Sequence, residues 1–140
     1  MERPLKILLL EDSSIDAEII KRLLLKEKLR CELRLVMDKK EFIKALAEFS
    51  PEVILSDNSM PQFSAAEALK ITRQKFLHVP FILVTGTVSE EYAANIIKEG
   101  ADDYILKDRL TRLPAAIAAA RAQRRALKEI TDYKIGRAHV

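Results

Sequence analysis

Five residues scattered along this 140-residue chain carry side chains suited to one piece of chemistry: Glu11 and Asp12 in the run "KILLLEDSS", then Asp57, Thr85 and Lys107. Glu11-Asp12 closes the apolar run 7–10, and Asp57 follows Val53-Ile54-Leu55-Ser56. Adjacent like charges at the end of a buried segment repel and are costly to desolvate, so a cation, a helix terminus or a solvated loop must hold them. Thr85 and Lys107 end two further apolar runs, 80–84 and 104–106. Brought together, three carboxylates call for a hard divalent cation. Oxygen-only ligation with few protein groups suits Mg²⁺, which keeps several waters and takes one or two carboxylates plus a phosphate oxygen. An ammonium and a hydroxyl would grip the other oxygens of that phosphate. Taken singly, Asp12 reads as a helix N-cap, Thr85 as a strand end and Lys107 as a surface lysine. Joint placement at strand ends is what makes them a site.

The patterning supplies the elements that must position them. Leu5–Leu10 reads as a buried strand. A helix over 14–28 follows, with Ile15, Ile19 and Leu23 spaced four apart on one face. Residues 32–36 alternate as a strand. Asp38-Lys-Lys-Glu41 opens a helix whose apolar positions are Phe42, Ala45, Leu46 and Phe49, stopped by Ser50-Pro51. Val53-Ile54-Leu55 is the third strand, Ser64-Ala-Ala-Glu67 caps a helix to about Lys75, and 80–84 is the fourth strand. Thr87-Val-Ser-Glu90 caps the next helix, which Gly100 ends in the left-handed conformation. After the fifth strand, 104–106, a long Ala/Arg-rich helix starts near Thr111, with Pro114 tolerable in its first turn.

Five strands alternating with five helices predict an α/β fold. Its five-stranded parallel sheet is doubly wound, covered by helices on both faces in three layers. In strand order 2-1-3-4-5 the first and third strands are neighbours at the switch point, so Glu11, Asp12 and Asp57 converge at the carboxyl edge.

Composition bounds the rest. The hydrophobic fraction of 49% and charged fraction of 32% fit one soluble domain. No apolar run approaches the ~18 residues of a membrane span, and the N-terminus lacks a signal-peptide core, so the expected location is cytoplasmic with no membrane insertion. A single cysteine, Cys31, excludes an intrachain disulfide. Charge is uneven: 16 Lys/Arg against 19 Asp/Glu through residue 108, then 8 against 2. The basic end reads as a solvated helix face, with Arg121, Arg124, Arg125 and Lys128 displayed along it and no direct nucleic-acid binding expected.

The chain resembles the response-regulator receiver domain of bacterial two-component signalling (CheY-like) from about residue 6 to 122. The resemblance rests on the Glu11-Asp12 pair, Asp57 followed by Met60-Pro61, Thr85-Gly86, the run "GADDYILK" of residues 100–107, and Tyr104 three residues before Lys107. It implies that Asp57 is the phosphoacceptor, taking a phosphoryl group from a kinase phosphohistidine. Asp12 and Asp57 would bind Mg²⁺ (or Mn²⁺) directly, Glu11 through water, and the Ser59 backbone carbonyl would add an oxygen. Lys107 would pair with the phosphoryl group, Thr85 would swing in to bond it, and Tyr104 would then rotate inward, changing the surface of the fourth helix and fifth strand. Ser59 and Thr87 would tune loss of phosphate. Such a protein is a signalling receiver that catalyses only its own phosphorylation and dephosphorylation. Its partners are a sensor histidine kinase or phosphotransfer protein and a downstream output protein or fused output domain, with homodimerisation open. The family commonly has a proline after the lysine, often with a cis bond; here Asp108 follows, which leaves the loop trans or strained.

The expected organisation is a receiver over 1–122, a connector extending the last helix over 123–133, and 134–140 outside the fold, as a disordered tail or a non-native scar. The alternative function is a phosphate-independent docking module, against which the complete set of site residues argues. A nucleotide-binding enzyme is disfavoured because the three glycines, Gly86, Gly100 and Gly136, allow neither G-x-G-x-x-G nor a P-loop.

Overall fold

Strand, helix and strand again in strict alternation wind the chain into a three-layer α/β sandwich. The computed structural model describes residues 3–58, 60–86 and 89–138, with side chains through residue 134. Its elements are β1 (Leu5–Leu10), α1 (Ser14–Lys26), β2 (Cys31–Val36), α2 (Lys39–Phe49), β3 (Val53–Ser56), α3 (Ala65–Lys75), β4 (Phe81–Thr85), α4 (Glu90–Lys98), β5 (Asp103–Leu106), a 3₁₀ helix over Lys107–Arg112, and α5 (Leu113–Ala138). The sheet is parallel throughout in the order β2-β1-β3-β4-β5, as the patterning predicts.

Period-two alternation divides the strand side chains between two cores. Leu8, Leu10, Ile54, Phe81 and Leu83 pack with Phe42, Leu46, Leu69 and Ile96 of α2, α3 and α4. Ile7, Leu9, Leu55, Ile82, Val84 and Ile105 pack with Ile20, Leu24, Leu113 and Ile117 of α1 and α5. Each fully buried aliphatic residue contributes roughly 2–3 kcal/mol, and central strands buried on both faces explain the apolar runs 7–10, 53–55 and 81–84 within β1, β3 and β4.

Local signals set the ends. Ser13, Asp38 and Ser64 cap α1, α2 and α3 by accepting the amides of Asp16, Glu41 and Glu67. The cap of α4 is Ser89, which accepts from the Tyr92 amide, and not the expected Thr87, which lies outside the described residues. The helix begins at Glu90, so only a hydroxyl at position 89 reaches its third amide. Gly100 closes α4 at φ 117° with the Schellman pair Ala101 N to Ile96 O and Gly100 N to Ile97 O. Lys28 closes α1 the same way at φ 60°, with no glycine there to relieve the strain.

Two helix expectations are corrected. The buried stripe of α1 is Ala17, Ile20 and Leu24, while Ile15 (73% exposed) and Ile19 (49%) face out. With 3.6 residues per turn, six large apolar residues at 15, 19, 20, 23, 24 and 25 cover more of the circumference than the sheet can cover. The last helix, expected near Thr111, begins at Leu113 after the 3₁₀ turns, with Pro114 in its first turn, and continues to Ala138. Arg124 is not displayed to solvent. Its Nε donates to Asp102 Oδ1 at 2.6 Å and its Nη2 to Gly100 O at 2.8 Å. Arg73 of α3 reaches the same group, donating to Asp102 Oδ2 (3.1 Å), Gly100 O (2.9 Å) and Val79 O (2.6 Å), and the Phe81 amide completes it. Burial, and then the charge of Arg124, lowers the Arg73 guanidinium to about 10. This cluster ties α3, α5 and the start of β5 together at the amino edge of the sheet. Among the described residues no helix is long and apolar enough to cross a membrane.

Candidate functional site

At the carboxyl edge the ladder carries the site. Leu10 pairs with Ser56, the Glu11 amide donates to Val36 O at 3.0 Å, and the Asp57 amide to Leu10 O at 2.9 Å. Glu11 and Asp57 are thus the first residues past two adjacent strands, held by their own backbones, and their side chains are buried while Asp12 is exposed. Carboxylate oxygens of Glu11, Asp12 and Asp57 lie within 4.8 Å of one another. Thr85, fully buried, ends β4 opposite Leu106 of β5, and Lys107 follows at the joint between β5 and the 3₁₀ helix.

Lys107 is the cation of this edge. Its Nζ donates to Asp16 Oδ2 at 2.7 Å, stands 2.8 Å from Glu11 Oε2 and 3.5 Å from Asp57 Oδ1. The Asp16 contact is the shortest of the three. Among the described residues, Glu11 Oε2 and Asp57 Oδ1 are buried with no partner beyond the Lys107 ion pair, although Glu11 Oε1 accepts from the Ser13 amide at 3.0 Å. Burial pushes the Glu11 carboxyl above its ordinary range; Lys107 and the Ser13 amide oppose that shift and the Asp57 charge adds to it. Burial acts to lower Lys107, but Asp16, Glu11 and Asp57 together outweigh it and raise the ammonium above the usual lysine value. Two orphaned buried carboxylate oxygens beside a third carboxylate are the donor set a hard divalent cation satisfies, so the residues fit a Mg²⁺ ion.

The structure therefore brings Glu11, Asp12, Asp57, Thr85 and Lys107 to one edge. Tyr104 lies on β5 with 37% of its surface exposed. Ser59 and Thr87 fall outside the described residues. The Lys107–Asp108 loop contains no cis bond and runs directly into 3₁₀ turns. Two participants escape a reading of the sequence. Asp16 sits in the first turn of α1, where Ser13-x-x-Asp16 reads only as a capping pattern. Tyr92 of α4 donates its hydroxyl to Asn58 Oδ1 at 2.5 Å, joining α4 to the residue after Asp57.

A family model for the response regulator receiver domain matches residues 7–118. The chain belongs to that family. Among curated relatives, this receiver is 27% identical over 110 residues to the transcriptional regulatory protein DegU of Brevibacillus brevis, covering 76% of the chain and 45% of that protein. It is 32% identical over 97 residues to the DNA-binding transcriptional regulator NtrC of Proteus hauseri, covering 69% of the chain and 20% of that protein. The receiver thus spans less than half of these two relatives. A crystal structure of a Clostridium thermocellum response regulator receiver domain superposes with TM-score 0.77 at 28% identity, over 88% of this chain and 98% of that one. The receiver domain of a Luxo repressor protein from Vibrio parahaemolyticus gives 0.79 at 25% identity, over 92% and 98%.

Proposed function

We propose that this receiver is a phosphoacceptor of a two-component phosphorelay, with Asp57 as the residue that carries the phosphoryl group. The observation that carries the reading is the buried Asp57 carboxylate, whose Oδ1 has no hydrogen-bond donor and stands 3.5 Å from a lysine ammonium at a strand end. An Asp57 oxygen attacks phosphorus of a kinase phosphohistidine, the P–N bond breaks, the imidazole keeps the electron pair, and an acyl phosphate remains. A bound Mg²⁺ or Mn²⁺ supplies charge neutralisation between carboxylates and phosphoryl oxygens. Asp12 and Asp57 would hold it directly, Glu11 through water, and the Ser59 carbonyl is assigned a place among its oxygens.

The chain's own residues do the remaining work by position and charge, as a loose phosphoryl-transfer transition state requires. Lys107 pairs with a phosphoryl oxygen and the Thr85 hydroxyl donates to another. Thr85 leaves its resting position to do so, and Tyr104 rotates inward behind it, altering the surface of α4 and β5. Ser59 and Thr87 control the access of water to the acyl phosphate. The receiver catalyses only its own phosphorylation and dephosphorylation. Its upstream partner is a histidine kinase or phosphotransfer protein, for which the exposed Ile15 and Ile19 beside the acidic edge offer an apolar landing. Its downstream partner is an output protein or an output domain in the same protein. A phosphate-independent docking module would have no use for the intact set of Glu11, Asp12, Asp57, Thr85 and Lys107.

Intact mass after incubation with acetyl phosphate and Mg²⁺ tests the reading. We expect a gain of about 80 Da that vanishes with EDTA and in Asp57→Ala. An adduct that survives Asp57→Ala, or none in a folded wild type that also fails to bind fluoroberyllate, would reject it.

A further inference from the structure

The shortest ion pair of Lys107 goes to a residue with no part in the chemistry above. Asp16 Oδ2 accepts from Nζ at 2.7 Å, whereas the ammonium is 0.8 Å farther from Asp57 Oδ1, which receives no hydrogen bond at all. The backbone of Lys107 is fixed where β5 passes into the 3₁₀ helix, so its flexible stem alone sets which carboxylate the ammonium meets. Asp16 is equally fixed: it sits in the first turn of α1, and its amide is held by the Ser13 hydroxyl at 3.2 Å. The side chain of Asp16 is 36% accessible and that of Lys107 19%, so the pair lies at the lip of the site and not in the core.

From this geometry we propose that Asp16 is a positioning residue that holds the Lys107 ammonium on α1 and competes with an anion on Asp57 for it. The inference rests on the phosphoacceptor reading of Asp57. A tetrahedral anion arriving there would need the same ammonium for one of its oxygens, so it must draw Lys107 off Asp16 or share it. The Asp16–Lys107 pair thereby lowers the affinity of the resting site for such an anion and links the start of α1 to occupancy of Asp57. Glu11 Oε2 also stands 2.8 Å from Nζ, but it belongs to the carboxylate cluster around Asp57, so only Asp16 ties the ammonium to the first turn of α1.

Asp16→Asn keeps the shape and leaves the Ser13 cap on the backbone intact, while Asp16→Ser removes the carboxylate by a second route. Two readouts follow, with thermal melts confirming the fold. In the metal-free protein, the Nζ–H signal of Lys107 in ¹⁵N NMR should shift or be lost to exchange in both variants. With Mg²⁺ present, fluoroberyllate, the tetrahedral phosphoryl mimic, should bind both variants about fivefold more tightly than wild type, the scale of a partly exposed ion pair. An unmoved Lys107 signal would overturn the contact. A moved signal with unchanged or weaker fluoroberyllate binding would overturn the competition. Failure of wild type and variants alike to bind fluoroberyllate would instead mark failure of the phosphoacceptor reading, and would take this inference with it.

Discussion

The two edges of the sheet handle buried charge in opposite ways. At the amino edge Asp102 receives Arg73, Arg124 and the Phe81 amide, and the two guanidinium groups spend their other donors on the carbonyls of Gly100, Val79, Phe76 and Leu77. At the carboxyl edge, among the described residues, Glu11, Asp16 and Asp57 share the Lys107 ammonium and Asp12 stands beside them, and two buried oxygens have no partner beyond that ion pair. Four carboxylates against one lysine leave a formal excess of three negative charges. Both edges set carboxylates beside strand ends against cations, so the presence of buried charge alone does not separate them. A cluster whose donors and acceptors are all matched holds the fold together. A cluster left short of positive charge is completed by something from outside, here a cation and a transferable group.

The largest effect should come from breaking the matched edge. Asp102→Asn leaves two mostly buried guanidinium groups facing a neutral amide, and a broken buried pair typically costs about 3–5 kcal/mol. Urea unfolding should show the loss. A change under about 1 kcal/mol would mean that the arginines re-solvate and that the cluster is ornamental.

A smaller effect separates the edges by pH. Glu11 has a raised folded value, so the stability it contributes is full at low pH and is lost as pH rises through that value. Glu52, lowered first by its hydrogen bond to Arg3, has the opposite sign: its contribution is present above the ordinary carboxylate range and is lost as pH falls. In EDTA, as pH rises above the ordinary glutamate range, Glu11→Gln should remove a decline in the urea midpoint that wild type shows. An unaltered slope would assign that decline to another group.

The smallest concerns a loop at the amino edge. Lys28 stands at φ 60° as the left-handed cap of α1, and Lys28→Gly should gain up to about 1 kcal/mol without touching the site. A loss would mean that the lysine side chain contributes more than its backbone strain removes.

The carboxyl edge was far more legible in the sequence than the amino edge. Strand ends are marked by where apolar runs stop, and the βα repeat fixes which ends are neighbours, so Glu11, Asp57, Thr85 and Lys107 could be gathered without coordinates. Asp16 could not, because its approach to Lys107 depends on the rotation of α1, and the surplus of apolar residues there makes the rotation ambiguous; the same surplus put Ile15 and Ile19 on the wrong face. Arg124 looked like its neighbours Arg121 and Arg125, since nothing in a helical charge run says which side chain meets a buried aspartate 22 positions earlier. The α4 cap went to Ser89 because two hydroxyl residues, Thr87 and Ser89, offered alternative starts within one turn.

Urea unfolding of wild type and Asp57→Asn, each with and without Mg²⁺, tests the contrast between the edges most directly. Without the ion, Asp57→Asn should be at least as stable as wild type, because it removes a buried carboxylate oxygen that lacks a donor. With Mg²⁺ at about one hundred times its dissociation constant, wild type should gain about 2.7 kcal/mol and the variant clearly less. A variant less stable than wild type in the absence of Mg²⁺, or an equal gain for both, would contradict the account of the carboxyl edge as a site short of positive charge.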